Sequence, residues 1–133
     1  MNPAPGFRKY PGHRVQTTPS RARVRVTWRG EAIADTRRAL ELHEGESPSK
    51  SVISPVVYYI PRADVKMERF VRTTHSTHCP FKGDASYYSL KGGPENAAWS
   101  YEHPYDEMAA IKDHLAFYPD RVDSIDAIEE GGA

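Results

Sequence analysis

A single cysteine in 133 residues cannot close an internal disulfide, so packing rather than cross-linking must hold this chain together. The same scarcity suits a reducing compartment, and the expected location is the cytoplasm. No apolar run approaches the roughly 18 residues that a membrane-spanning helix needs, which excludes an integral helical membrane protein. The opening Met-Asn-Pro-Ala-Pro-Gly lacks the apolar core of a secretory signal. Neither sign of charge prevails, because 18 Lys and Arg meet 18 Asp and Glu. What remains is a small globular chain, long enough to bury about two thirds of its unfolded surface as one domain.

The balanced total hides a gradient. Residues 1–29 carry seven bases and no acid, whereas residues 95–133 carry ten acids against Lys112 and Arg121. A basic end can meet nucleic acid. No aromatic–basic interleaving or recognised binding motif accompanies it, so nucleic acid is not the expected partner. An arginine-lined solvent face of one strand, beside a polar leader, accounts for the bases.

Residues 1–20 hold Pro3, Pro5, Pro11 and Pro19 with Gly6 and Gly12, and read as a disordered or extended leader. From Arg21 the pattern changes. Val24, Val26 and Trp28 alternate with Arg23, Arg25, Thr27 and Arg29, the period of a half-buried strand. Gly30 turns the chain towards Ile33, and Leu40 and Leu42 suggest a third strand. Residues 44–54 are a polar loop. The run Val56-Val57-Tyr58-Tyr59-Ile60 predicts a central strand stopped by Pro61, and residues 61–64 one helical or tight turn. Strands are also expected over residues 65–72, 85–90 and 97–101, with a closing strand within 115–118. A helix from Pro104 would bury Met108, Ile111 and Leu115. Residues 124–133 read as an acidic, flexible tail. The expected fold is mainly β (α+β): a compact antiparallel β-tent or small barrel over residues 21–123, with one helix near the C-terminus.

Residues 75–88 concentrate the titratable groups: His75, His78, Cys79, Lys82, Asp84, Tyr87 and Tyr88, broken by Pro80 and Gly83. Such density beside loop-forming residues is where a site is sought. Cys79 could be a nucleophile if His78 or Lys82 activates it. The favoured reading is a small buried side chain, since neighbours on a strand point to opposite faces. His75, His78 and Cys79, with His103 or Asp84, match neither zinc-finger spacing nor His-Glu-x-x-His, and no metal or other cofactor is expected. Lys82-Gly83 could receive an anion, although a surface lysine in a strand turn explains it equally well. Trp28, Tyr58, Tyr59, Tyr87, Tyr88, Trp99 and Tyr101 could line a pocket or fill a core. Glu44, Glu68 and Arg69 are weaker candidates for its polar wall.

Several blocks together carry a resemblance: Trp28-Arg-Gly30, Tyr58-Tyr59-Ile60-Pro61, His78-Cys-Pro-Phe-Lys-Gly83 with Ala85 and Tyr87, Ala98-Trp99-Ser-Tyr101, and Phe117-Tyr-Pro119. Over residues 22–123 the chain resembles the bacterial and fungal family called domain of unknown function 427, also labelled nucleotidyltransferase-like. The resemblance implies a tent-like β fold related in shape to methionine sulfoxide reductase B and to guanine-exchange chaperones. Zinc knuckles of those relatives need paired cysteines, which one cysteine cannot supply. Nucleotidyl transfer calls for paired carboxylates, typically Asp-x-Asp after Gly-Ser, and neither occurs here. The family adds no catalytic set.

Three functions follow from these residues. The first is a pocket for a small, anionic molecule, built from His78, Cys79, Lys82, Gly83, Tyr87, Trp99 and Tyr101 with Glu68 or Glu44 opposite. The second is an enzyme using Cys79 and His78 in thiol-based or nucleotidyl-type chemistry. The third is a non-catalytic interaction module, such as a homodimer, in which the motif residues are core.

Overall fold

The computed structural model describes residues 2–45 and 56–129. Strand β2 (Ala22–Trp28) buries Val24 and Val26 completely while Arg23 and Arg25 face outward. Arg29 and Gly30 both take positive φ, 50° and 76°, and form a two-residue turn into β3 (Glu31–Thr36). That turn suits the right-handed twist of a hairpin. Strand β10 (Ser124–Glu129) pairs with the other edge of β2, giving a three-stranded antiparallel sheet. The residues read as a flexible acidic tail thus begin with a strand. Ile125 explains why, since it packs against the core that Val24 and Val26 enter.

The second sheet has seven strands in the order β1-β4-β5-β9-β8-β7-β6. They are β1 (Arg14–Pro19), β4 (Leu40–Gly45), β5 (Val57–Pro61), β6 (Phe70–Cys79), β7 (Gly83–Leu90), β8 (Ala98–Tyr101) and β9 (His114–Phe117). All their pairings are antiparallel. The fold is therefore mainly β, as its alternating patterns predict. It is not a closed barrel, because β1 and β6 remain the two edges of an open sheet.

Side-chain alternation divides the packing in two. Ile60, Tyr88, Leu90, Ala98, Leu115 and Phe117 meet Val24, Val26 and Ile33 of the smaller sheet in one cluster. Their sequence neighbours Tyr59, Tyr87 and Ala116 join Leu42, Ala85 and Tyr101 in a second cluster on the opposite face. Met108 and Ile111 cover that second face from a 3-10 turn over Asp106–Ile111.

That turn corrects the expected C-terminal helix. Met108 and Ile111 are three apart and suit 3-10 geometry equally well, whereas Leu115 belongs to β9. The turn expected at 61–64 is the 3-10 turn Arg62–Asp64, whereas a second turn, Met67–Arg69, occupies part of the stretch expected as strand, and β6 starts only at Phe70. Residues 75–79, where the histidines and Cys79 gather, form the end of β6, whose solvent-facing edge lacks an apolar alternation to betray a strand. Residues 1–20, expected to be an extended or disordered leader, contain α1 (Gly6–Lys9) and β1. Phe7, Tyr10 and His13 pack on Phe81, and the Gly6 N–H donates to the Pro80 carbonyl at 2.9 Å. Most of the expected polar loop, from residue 46, and the last four residues lie outside the described residues.

Candidate functional site

The β6–β7 turn fixes Lys82. Its N–H donates to the Cys79 carbonyl at 3.2 Å and its own carbonyl accepts from the Tyr105 N–H at 3.0 Å. Gly83 follows with φ of 118°, and a Cβ there would lie 3.2 Å from the His103 carbonyl oxygen. Close backbone approach, rather than contact with an anion, is what this glycine serves. The turn sends Lys82 inward, where it is 9% exposed and is the one buried charged residue among the described residues.

Two strands deliver its partners. Glu44 lies near the end of β4, and pairing of Val15 with Glu44 brings the start of β1 alongside it. Lys82 Nζ donates to Glu44 Oε1 at 2.9 Å, and His13 Nε2 meets Glu44 Oε2 at 2.8 Å. Phe81 stacks on the His13 ring, with centroids 4.0 Å apart and planes 25° from parallel. Burial pushes the Glu44 carboxyl up, but its bonds and attraction to Lys82, then to His13, outweigh that and leave it below its ordinary value. Cys79 is half-buried with Sγ 4.0 Å from Lys82 Nζ.

Aromatic hydroxyls surround this polar centre. Tyr59 accepts from Trp99 Nε1 at 3.2 Å, and the Tyr87 hydroxyl lies 2.9 Å from Thr77 Oγ1. Burial raises the Tyr59 and Tyr101 hydroxyls far above their usual range, with Glu44 and Cys79 adding to the shift in both. Both phenols therefore remain protonated donors. The Tyr101 hydroxyl has no hydrogen-bond partner among the described residues.

The expected residues thus divide. Cys79, Lys82, Tyr87, Trp99 and Tyr101 come together on one face with Glu44. His78 does not join them: its Nδ1 lies 2.7 Å from Asp84 Oδ1 and its Nε2 3.5 Å from the Tyr105 hydroxyl, on the exposed side of the hairpin. Alternation along β6 separates it from Cys79. Glu68 is exposed in the turn whose Met67 packs on the other cluster. His75 contacts Tyr87 edge-on at 4.5 Å. Among the described residues no three His, Cys, Asp or Glu side chains converge as a metal site would require. Sequence reasoning missed His13, because no local pattern links a polar leader to a strand 31 residues away. Tyr59, one of the aromatics considered for a pocket or core, lies opposite Leu40 in the sheet and joins this face.

A separate feature adjoins Trp99. Strands β5 and β9 pair only at Ile60–Leu115 and Pro61–His114. Beyond those pairs they part, leaving a cleft of about 350 Å³ walled by Val57, Tyr58, Trp99, Phe117 and, from the smaller sheet, Val26 and Ile125.

The family model described as a domain of unknown function (DUF427) matches residues 16–127. The chain belongs to that family. No curated protein matches it. The DUF427 span runs from β1 into β10 and includes Glu44, Tyr59, Cys79, Lys82, Trp99 and Tyr101, while His13 lies just before it. No helix among the described residues of this DUF427 protein is long and apolar enough to cross a membrane.

Proposed function

We propose that this DUF427 protein binds a small acidic molecule at Lys82, with Glu44 and His13 as its proton-exchanging partners. One observation carries the reading: the only buried charged residue among those described is a lysine, held at 2.9 Å by Glu44 on the aromatic face of the sheet. Burying an ion pair costs more desolvation than an apolar replacement would, so such a pair is poorly explained by stability alone. When His13 is protonated, two cations face one carboxylate, and an acidic oxygen would be drawn to the excess charge. Tyr59 and Tyr101, held protonated, would donate to that oxygen. Tyr87 would offer a ring face to the rest of the ligand. Glu44 already neutralises Lys82 at 2.9 Å, so the acid would share or displace that contact rather than meet a free cation.

A thermal-shift screen against nucleotides, sugar phosphates and organic acids tests this. A ligand at a hundred times its Kd adds about 2.7 kcal/mol of stability. A hit retained in wild type and lost in Lys82→Met supports the reading. Failure of every acid in the panel to raise Tm, or a hit indifferent to Lys82→Met, sinks it.

An enzymatic use of the same centre has one observation in its favour, the Lys82 ammonium 4.0 Å from Cys79 Sγ. His78 cannot be the base in this arrangement, so proton transfer would fall to His13 and Glu44. Alkylation of the native protein decides: a thiol that reacts only after unfolding removes Cys79 as nucleophile.

A further inference from the structure

We infer that the cleft between β5 and β9 is a binding site for a flat, uncharged aromatic molecule, separate from the Lys82 centre. Protein interiors pack to the density of organic crystals and leave few voids larger than a water molecule. Here two strands that begin a regular antiparallel ladder abandon it after two residue pairs, and about 350 Å³ opens where the ladder would continue. That volume lies within the range of small-molecule sites and holds about a dozen groups the size of a water.

The walls specify the occupant. Tyr58, Trp99 and Phe117 bring three rings to one space, and the remaining lining is Val, Ile and Pro. Rings prefer offset or edge-on contact with other rings, which a flat guest can satisfy on several sides at once. Among the described residues no charged side chain lines the cleft. The Trp99 indole N–H already donates to Tyr59, so it is not available to a ligand. The Tyr58 hydroxyl is left as the polar group a guest could address. Burial, then the nearby carboxylates Glu41 and Glu129, keep that phenol protonated and would repel an anion. An aromatic with one hydroxyl-type group fits these constraints. An aromatic acid does not, which sets this site apart from the acid-binding centre proposed above.

The test follows the Trp99 indole N–H by nitrogen-edited NMR in a Trp28→Phe background, which leaves one indole signal. The probes are 2-naphthol, 2-naphthoate and decanol. The expected result is a saturable shift with 2-naphthol and about tenfold weaker binding of decanol, which lacks ring contacts. The naphthoate should also bind more weakly than the naphthol. Val57→Phe, which narrows the cleft without adding an indole, should abolish the shift. Val56→Phe gives the same block from the exposed mouth without touching the core. Lys82→Met should leave the naphthol affinity within about twofold, since Lys82 is not among the residues that wall the cleft. The inference is overturned by no saturable shift, by a shift that survives both blocking variants, or by decanol or naphthoate binding as tightly as naphthol. Loss of naphthol binding in Lys82→Met would also overturn it, since the cleft would then be part of the Lys82 centre.

Discussion

The two faces of the seven-stranded sheet are made from adjacent residues yet are chemically unlike. Tyr88, Ile60 and Leu115 face one way into an apolar core closed by the smaller sheet, whereas Tyr87, Tyr59 and Ala116 face the other. The first face keeps its polar atoms at ring tips: the Tyr88 hydroxyl, for example, donates to Glu102 Oε2 at 2.7 Å. The second holds Lys82, Glu44 and His13 and a ring of phenols. Burial of apolar area suffices to explain the first face. It does not explain the second, where each buried charge must first be stripped of water. The contrast separates the half of the protein that folds it from the half arranged around a polar centre.

The largest expected effect tests the folding half. Leu115 is completely buried, and Leu115→Ala should cost about 3–4 kcal/mol, read from urea denaturation at constant slope. Next comes the polar half. Lys82→Met leaves Glu44 with His13 alone and should cost about 2–3 kcal/mol, because breaking one partner of a buried pair strands the other. The double variant Lys82→Met, Glu44→Leu should recover to within about 1 kcal/mol of wild type, since apolar replacement of both partners is often neutral. If the double variant is as unstable as the sum of the single ones, the pair is not coupled and the contrast between the faces fails.

Acid sharpens the same contrast. The Glu44 carboxyl lies below its ordinary value of 4.5 when folded. Its lowered value contributes stability that is full above about pH 4.5, the unfolded reference, and is lost as pH falls through the folded value. Wild type should therefore exceed Glu44→Gln in Tm by its full margin at neutral pH, and the margin should shrink progressively below pH 4.5. Subtracting the Glu44→Gln curve removes the other carboxylates held low by arginines, such as Asp35 and Asp64. A margin constant with pH would show that Glu44 does not titrate as a paired group.

How much of this was legible in the chain depends on whether a signal was local. The β2–β3 hairpin was readable because Val24 and Val26 alternate with arginines and Arg29-Gly30 supplies the turn. The strand at Tyr58–Tyr59 and the turn before Val65 were readable for similar reasons. Strands β1, the end of β6 and β10 were not, because they lie at sheet edges and their packing on the clusters rests on isolated residues such as Val15 and Ile125. Pairing partners fix such strands, and pairing is invisible in composition. The motif around Lys82 pointed to the region where the Lys82–Glu44 pair forms, and Glu44 was named as a candidate opposite wall. His13 was not foreseeable, since it reaches Glu44 only after β1 docks on β4.

The smallest expected effect comes from an ion pair outside both clusters and asks whether burial is what distinguishes Lys82–Glu44. Asp35 accepts from Arg23 Nε at 2.7 Å and from Arg25 Nη2 at 3.5 Å on the outer face of the three-stranded sheet. Its side chain is 35% exposed, against 20% for Glu44 and 11% for Lys82. Water and salt screen the outer pair, so Asp35→Asn should cost only about 0.5–1 kcal/mol. Raising salt to about 1 M shortens the Debye length to roughly 3 Å and should remove most of that cost. The Lys82→Met deficit should survive the same salt, because ions do not enter its aromatic surroundings. If both deficits fade together, the Lys82 centre is as wet as the surface pair, and the difference between the two faces lies in shape rather than in electrostatics.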